Sequence, residues 1–248
     1  MKQTRDIMGM PVTVEIADET ARQDQFDRAF RYFEHVDTTF STYKEGSEIS
    51  RINRGEIGSS EYSDEMKEVF MLSDETKKET NGYFDIQKTE GTYDPSGLVK
   101  GWAIRNAADL LAALGCEHFY VDAGGDIQTS GKNSDGGEWS VGIRNPFDRG
   151  EVIKVVYPRG QGVATSGTYI RGEHIYDPHS GKAATSELAA ITVIGPDIYE
   201  ADRFATAAFA MGKRGIEFIE RLPGFEGYAV FKDGTAVMTS GFENFTHL

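Results

Sequence analysis

Asp202 and Thr206 form the first candidate site, because residues four positions apart lie one turn apart on the same face of a helix. A carboxylate and a hydroxyl are hard oxygen ligands of the kind that Mg²⁺ prefers. Mg²⁺ takes few protein ligands and completes its shell with phosphate and water. The spacing therefore indicates a magnesium site. In the structural alternative, the Thr206 hydroxyl donates to the Asp202 carbonyl and the carboxylate forms a surface ion pair.

The segment Asp-Pro-Ser-Gly-Leu-Val-Lys-Gly at residues 94–101 is a second candidate, because it leads into a helix predicted from about Lys100 to Leu114. Glycines allow close approach of the backbone, and the N–H groups at the start of a helix can bind an anion. Lys100 adds a point charge suited to phosphate. The segment does not match the Walker A pattern. It predicts phosphate binding, with an ordinary loop–helix junction as the alternative.

Two glycine-containing stretches could also bind a ligand. The strand-like residues 118–122 run into Gly124 and Gly125, ending at Asp126. Paired glycines there either let a ligand lie against bare backbone or mark a β-bulge. The polar stretch Ala-Thr-Ser-Gly at residues 164–167 is the second.

His174 begins the turn His-Ile-Tyr-Asp-Pro-His-Ser-Gly at residues 174–181. A histidine near a carboxylate, here Asp177, can act as a general base, because its ordinary pKa of about 6.5 lies near the working pH. A histidine in a turn is also often merely solvated. His179 is a rival candidate, and spacing alone does not separate the two histidines.

The elements that position these residues follow from periodicity and capping signals. An aromatic stripe at spacings of three and four predicts a core-facing helix from Asp24 to Phe40. Another helix is predicted to open at Asp197, with Glu200 completing a capping box, and to end or bend at Gly212. Further helices are predicted at residues 62–79 and 213–221, and strands at 10–17, 118–122, 138–144, 152–157, 188–195 and 227–232. Without strict β-α alternation, this mixture predicts an α+β fold with residues 1–248 in a single domain.

Composition limits the classes of function. Among the 248 residues, 27% are charged and the net charge is −14. This charge disfavours nucleic-acid binding, so a diphosphate site must recruit its positive charge locally. Cys116, the one cysteine, is expected to be buried. The N-terminus lacks the apolar core of a secretory signal, and no apolar run approaches the ~20 residues of a membrane span. We therefore expect no membrane insertion and a cytoplasmic protein as written, or an exported one if the sequence is trimmed.

In order and combination, these segments resemble the motif set of the ApbE family of flavin transferases. The resemblance extends over nearly the whole chain, through residues 8–12, 40–43, 47–50 with Asn53, 82–85, 97–101, 121–126, 164–167, 174–181 and 202–206.

The resemblance implies an ApbE/T-fold-like arrangement of mixed sheets with packed helices. It also implies FAD as donor, Mg²⁺ as cofactor, and transfer of FMN to a Thr or Ser hydroxyl of an acceptor flavoprotein with release of AMP. Acceptors of this family typically carry a D-x-x-(S/T)-G-A-T motif. By position, Asp202, Thr206 and the carbonyl of Gly97 would hold the metal, and His174 would be the base. The implied FAD contacts are Met8, Tyr43, Lys100, Asp122, Ala123, Gly124, Gly125, Thr165, Ser166 and Gly167.

The sequence departs from the family pattern in three places. Residues 86–93 are short where many members carry an insertion, Ser180 stands where threonine is usual, and there is no lipobox cysteine. Two other functions share these features in part: an FAD-storage protein, and an FAD pyrophosphatase in which water replaces the acceptor hydroxyl. A metal pair together with a base favours chemistry over storage.

Overall fold

The computed structural model describes residues 1–88, 90–148, 150–167 and 187–247, together with the backbone of residues 176–177 and 182–183. His174, His179 and Ser180 lie outside the described residues, so the predictions made for them stay predictions.

The described part of the chain alternates irregularly between helices and strands. The helices are α1 (Gln23–Phe40), α2 (Glu48–Asn53), α3 (Asp64–Glu79), α4 (Ser96–Ala113), α5 (Ile198–Ala210) and α6 (Arg214–Glu220). The strands are β1 (Lys2–Ile7), β2 (Met10–Ile16), β3 (Phe119–Ala123), β4 (Asp126–Ser130), β5 (Val141–Arg144), β6 (Val152–Val156), β7 (Gly162–Gly167), β8 (Tyr176–Asp177), β9 (Lys182–Ala183), β10 (Leu188–Gly195), β11 (Glu226–Phe231) and β12 (Ala236–Met238).

Eight of these strands form one sheet in the order β1-β2-β3-β4-β7-β10-β11-β12. Every neighbouring pair in it is antiparallel. Strands β5 and β6 form a separate pair, as do β8 and β9. Helices and antiparallel strands without regular alternation confirm the predicted α+β class.

The sheet has a different hydrophobic cluster on each face. On one face, α1, α4 and α5 cover a large cluster that includes Val12 and Val14 of β2. The predicted aromatic stripe of α1 lies in this cluster and is buried, as is Cys116. On the other face, a smaller cluster joins the sheet to β5, β6 and Phe242. Residues that alternate along one strand therefore belong to two different environments.

Periodicity located most helices to within one or two residues. Helix α3 begins at Asp64 rather than at residue 62, because the Ser63 hydroxyl accepts the Met66 N–H at 3.1 Å and so starts the helix there. The capping box predicted for α5 was half wrong. Asp197 accepts the backbone N–H of Glu200 at 2.9 Å, whereas the Glu200 carboxylate pairs with Arg203.

Longer strands with alternating or continuous apolar residues were found, whereas polar strands and the three-residue strand β12 were missed. Strand β5 spans only Val141–Arg144 of the predicted 138–144. Strand β1 gave no signal because it is an edge strand in which only Ile7 is buried. Strand β7, Gly-Val-Ala-Thr-Ser-Gly, combines two β-formers, Val163 and Thr165, with two glycines and an alanine, which are depleted in strands. In the described residues, no helix has both the length and the apolar character needed to cross a membrane.

Candidate functional site

Helix α5 carries Asp202 and Thr206 on the side that faces α4. Asp202 is 2% exposed, and its Oδ2 accepts the backbone N–H of Gly101 at 2.8 Å. The Thr206 hydroxyl lies 3.4 Å from the Gly97 carbonyl oxygen and 3.5 Å from Ser166 Oγ. The alternative with Asp202 in a surface ion pair is therefore wrong. The structure brings all three predicted metal ligands, Gly97, Asp202 and Thr206, together.

Helix α4 begins at Ser96, so the predicted start near Lys100 was wrong and the glycine-rich segment is mostly helix. Its glycines serve close packing between helices. A Cβ on Gly101 would lie 2.7 Å from Asp202 Cβ and 2.8 Å from the Ile198 carbonyl oxygen. A Cβ on Gly97 would lie 3.3 Å from Thr206 Cγ2. At Gly101, only a residue without a side chain allows α5 to approach this closely.

Polar side chains fix the entry to α4. The Asp94 carboxylate accepts the Ser96 N–H at 3.2 Å and pairs with Lys88 at 2.9 Å. The Asn53 side-chain amide clamps the backbone of Tyr93 with hydrogen bonds of 2.9 and 2.7 Å. Burial opposes ionisation of Asp94, but Lys88 and Ser96 outweigh it and hold its pKa below the usual value. The Asp94 carboxylate therefore already accepts one of the backbone N–H groups at the start of α4.

Lys100 points its ammonium at two buried carboxylates. It forms an ion pair with Asp126 Oδ2 and lies 3.5 Å from Asp202 Oδ1. The other oxygen of Asp126 accepts the Thr165 N–H at 3.0 Å. The exposed fraction of the side chain is 19% for Lys100 and 2% for Asp126. Lys100 therefore compensates the negative charge of the two buried carboxylates. The sequence had predicted only that Lys100 binds phosphate.

The buried charges do not balance when both carboxylates are ionised. Burial raises the pKa of Asp202 to about 7; Lys100 opposes this shift, and the neighbouring Asp126 adds to it. Removing charge from water is costly unless an opposite charge compensates it. Either a proton on Asp202 or a further cation would balance this cluster of two carboxylates and one ammonium.

The available donors fit Mg²⁺. The Asp202 carboxylate, the Thr206 hydroxyl and the Gly97 carbonyl are hard oxygen ligands, and Mg²⁺ commonly uses one or two carboxylates together with phosphate and water. Within the described ranges, no group of three or more His, Cys, Asp or Glu side chains could hold a metal. A cation here would therefore depend on hydroxyl and carbonyl oxygens.

Two hairpin turns lie next to this cluster. Gly124 and Gly125 connect β3 to β4 with φ of 66° and 99°, and Ala123 pairs directly with Asp126. A two-residue hairpin turn of this kind requires positive φ at both positions, so the bulge alternative was wrong. The turn Met8-Gly9, with φ of 58° and 72°, connects β1 to β2.

A cavity lies between the Met8-Gly9 turn, α1 and α4, and several residues predicted to contact FAD line it. Met8, Tyr43 and Lys100 all line it. Tyr43 is 97% exposed and leaves its ring available beside the cavity. The other residues lining the cavity are Met10, Val36, Asp37, Phe40, Ser41, Thr42, Ser96 and Val99. The cavity reaches Lys100 and so connects to the carboxylate cluster.

The remaining predicted contacts divide between the two faces of the sheet. Ala123 and Ser166 lie on the helix side, whereas the side chains of Asp122 and Thr165 lie on the other face. Thr165 Oγ1 lies 2.8 Å from Thr192 Oγ1. Asp122 accepts the Gly125 N–H at 2.8 Å, and burial raises its pKa. Direct flavin contact stays a prediction for all ten residues, including Asp122, Thr165 and Gly167 at the end of β7.

Comparison with known sequences places this chain in a family. The sequence model of the ApbE family matches residues 8–92 and 86–229. The chain belongs to the ApbE family.

Curated relatives of this ApbE-family chain are named FAD:protein FMN transferase. The Vibrio cholerae protein is 34% identical over 137 residues, which cover 51% of this chain and 41% of that protein. The Escherichia coli K12 protein is 30% identical over 155 residues, or 59% of this chain and 44% of that protein. The chain thus spans less than half the length of these two relatives. The Chlamydia muridarum protein is 24% identical over 254 residues, covering 79% and 77%.

Solved structures share the fold over the full length. The flavin transferase ApbE from Vibrio cholerae matches with a TM-score of 0.86 and 24% identity, covering 99% of this chain and 98% of that one. The ApbE protein from Thermotoga maritima matches with a TM-score of 0.89 and 20% identity, covering 100% and 99%. These matches confirm the predicted ApbE-like fold.

Sequence reasoning about the ApbE-family motifs missed three residues that shape the site. Asp126 marked only the end of a motif, although a carboxylate at the start of a buried strand already indicates a buried partner. Asn53 belonged to one of the motifs, but nothing in the sequence indicated that its side chain would hydrogen-bond the backbone of Tyr93. Arg203, beside Asp202, is buried and binds Glu79, Glu200 and the Thr76 hydroxyl. It joins α5 to α3 through Thr76 and Glu79, at the position next to Asp202.

Proposed function

We propose that this chain is an Mg²⁺-dependent FAD:protein FMN transferase, which transfers FMN from FAD to a Thr or Ser hydroxyl of an acceptor flavoprotein and releases AMP. The observation that carries this proposal is the convergence of Gly97, Asp202 and Thr206 beside a cavity lined by Met8, Tyr43 and Lys100. Membership in the ApbE family and the names of the relatives support the same activity.

The proposed reaction exchanges one phosphorus–oxygen bond for another. The acceptor hydroxyl oxygen bonds to the phosphorus of the FMN half. The bond from that phosphorus to the bridging oxygen breaks, and AMP leaves with the bridging oxygen. Mg²⁺ held by Gly97, Asp202 and Thr206 would neutralise the diphosphate and stabilise the AMP leaving group.

The chain's own residues supply the rest. An alcohol is a poor nucleophile near neutral pH, so its proton must pass to a base, which we assign to His174. Tyr43 offers an exposed aromatic face on which a flat ring can stack. Lys100 brings positive charge to the end of the cavity in a protein whose net charge is −14. We assign the acceptor to redox proteins carrying D-x-x-(S/T)-G-A-T, as the family resemblance implies.

The first prediction concerns Asp202. Incubation with FAD, Mg²⁺ and an acceptor bearing the motif should leave flavin fluorescence on the acceptor band of a denaturing gel. Asp202→Ala should abolish this labelling, because it removes the charged ligand of the cation. Asp74→Ala, at an exposed aspartate on α3, serves as the control and should label normally. Unchanged labelling by Asp202→Ala would refute the metal assignment.

The second prediction concerns His174. His174→Ala should label the acceptor more weakly while FAD binding is largely retained, because the base acts on the acceptor rather than on FAD. Fluorescence titration with FAD measures the binding. A parallel loss of FAD binding would show that His174 has a structural role instead.

The same assay separates transfer from its two rivals. An FAD pyrophosphatase would release FMN and AMP and leave the acceptor unlabelled even when the acceptor is in excess. A storage protein would bind FAD and release neither product. Either outcome would overturn the proposed transferase function.

A further inference from the structure

Two buried carboxylates, Asp126 and Asp202, share the ammonium of Lys100. Asp126 stands at the start of β4 and Asp202 in the middle of α5. The side chains of the two aspartates are 2% and 3% exposed. The ammonium forms an ion pair with Asp126 Oδ2 and lies 3.5 Å from Asp202 Oδ1. The lysine is thus nearer to Asp126 while remaining in reach of Asp202.

This arrangement creates a competition if Asp202 holds a divalent cation. An ammonium and a divalent cation at the same carboxylate repel each other, and in a buried site this repulsion is only weakly screened. A cation site at Asp202 therefore requires that the Lys100 ammonium be retained elsewhere.

The hydrogen bonds of both carboxylates agree with Asp126 holding the Lys100 ammonium and Asp202 holding the cation. The Thr165 N–H fixes Asp126 Oδ1 at 3.0 Å, which leaves Oδ2 directed at Lys100. The Gly101 N–H fixes Asp202 Oδ2 at 2.8 Å, so the oxygen nearer to Lys100 is Oδ1. One carboxylate is thus oriented towards the ammonium, and the other keeps an oxygen that can bind a cation.

We propose that Asp126 is a positioning residue of the cation site: it retains the Lys100 ammonium so that Asp202 Oδ1 stays available to a divalent cation. Asp126 acts through Lys100 and is not itself a ligand. The proposal rests on the cation site of the proposed function and adds to it the residue that decides which cation Asp202 binds.

Mn²⁺ binding to the full chain without FAD, measured by titration calorimetry, tests this proposal. Asp126→Asn keeps the shape and the acceptor for the Thr165 N–H but removes the charge. Lys100 should then move onto Asp202, and Mn²⁺ should bind about 10- to 100-fold more weakly, the range seen when residues supporting metal ligands are changed. Lys100→Met alone should bind Mn²⁺ at least as tightly as the unmodified chain.

The double variant Asp126→Asn with Lys100→Met decides the mechanism. If Asp126 acts by holding Lys100, removing the lysine should restore Mn²⁺ affinity to within about threefold of the unmodified chain, because the competing ammonium is gone. Binding that stays as weak as in Asp126→Asn would overturn the proposal, since it would make Asp126 a direct ligand or a purely structural residue. Weaker binding by Lys100→Met alone would also overturn it.

Asp202→Ala distinguishes failure of this inference from failure of the proposed function. If Asp202→Ala leaves Mn²⁺ binding unchanged, the cation site itself is wrong and both proposals fall. If Asp202→Ala abolishes binding while Asp126→Asn binds normally, only the role of Asp126 is refuted.

Discussion

At the scale of single residues, the absence of a side chain at one position shapes the site as much as its charged side chains do. Gly101 has no side chain, and this lets Asp202 reach the backbone of α4 and accept its N–H. Lys100, the residue before it, turns its ammonium to the same carboxylate. Adjacent positions on α4 thus bring a backbone donor and a positive charge to Asp202.

A third prediction follows from Gly101. In Gly101→Ala the added Cβ would lie 2.7 Å from Asp202 Cβ, so α4 and α5 must separate. We expect a loss of about 1–3 kcal/mol in the free energy of unfolding, the usual cost of overpacking, together with weaker acceptor labelling. Urea denaturation measures the stability. Gly46→Ala, where a Cβ meets nothing within 4 Å, is the control and should be nearly neutral.

At the scale of elements, the start of α4 decides where one of the proposed metal ligands lies. The helix begins at Ser96, and Gly97 is therefore a helical residue whose carbonyl oxygen faces Thr206. Asp94 and the Asn53 clamp on Tyr93 set the direction in which the chain enters the helix. The short segment 86–93 ends at Tyr93, which Asn53 binds. The place where this sequence is shorter than many family members therefore adjoins the start of α4.

A fourth prediction uses the pKa of Asp94, which is held below its ordinary value of 3.8. A lowered pKa in the folded state means that the ionised carboxylate stabilises the fold above pH 3.8. This contribution is lost as the pH falls through the folded-state pKa. Asp94→Asn keeps an acceptor for the Ser96 N–H but removes the charge that pairs with Lys88. It should therefore cost about 0.5–1 kcal/mol at pH 7, as for loss of a partly exposed ion pair, and progressively less below pH 4. Urea denaturation across this range measures the change, and a cost that does not depend on pH would contradict it.

At the scale of the whole molecule, the buried centre of the eight-stranded sheet contrasts with the more exposed strand pair β5–β6. All eight residues of β10 are buried, and the strand pairs with β7 on one side and β11 on the other. Strand β6 pairs only with β5 among the described strands, and its Val152 and Val155 are exposed. The carboxylate cluster joins α4 and α5 to β4, which lies beside β7 near this centre.

The fifth prediction concerns hydrogen exchange across this sheet. The amides of β10 should exchange only through global unfolding, and those of β6 should exchange faster through local opening, because fewer buried contacts hold them. Hydrogen–deuterium exchange followed by mass spectrometry measures both. Equal protection of the two strands would show that β5 and β6 unfold together with the sheet.

The sequence by itself determined the local features of this protein. Spacing of three and four identified α1 and its buried aromatic stripe, and the capping residue Asp197 located α5. Because one turn of helix relates Asp202 to Thr206, their spacing alone was enough to predict the carboxylate–hydroxyl pair. The order of the motifs identified the family, which the family match confirmed. All these signals join residues a few positions apart, or compare segments one at a time.

Only the tertiary structure decided which distant groups meet. The Gly101 N–H and the Asp202 carboxylate are 101 positions apart, and Thr206 and the Gly97 carbonyl are 109 apart. The partner of Lys100 depends on how β4 is placed under α4, and burial, which no local pattern measures, sets the charge balance there. Periodicity states that a side chain faces inward, but the packing of the whole chain selects what it faces.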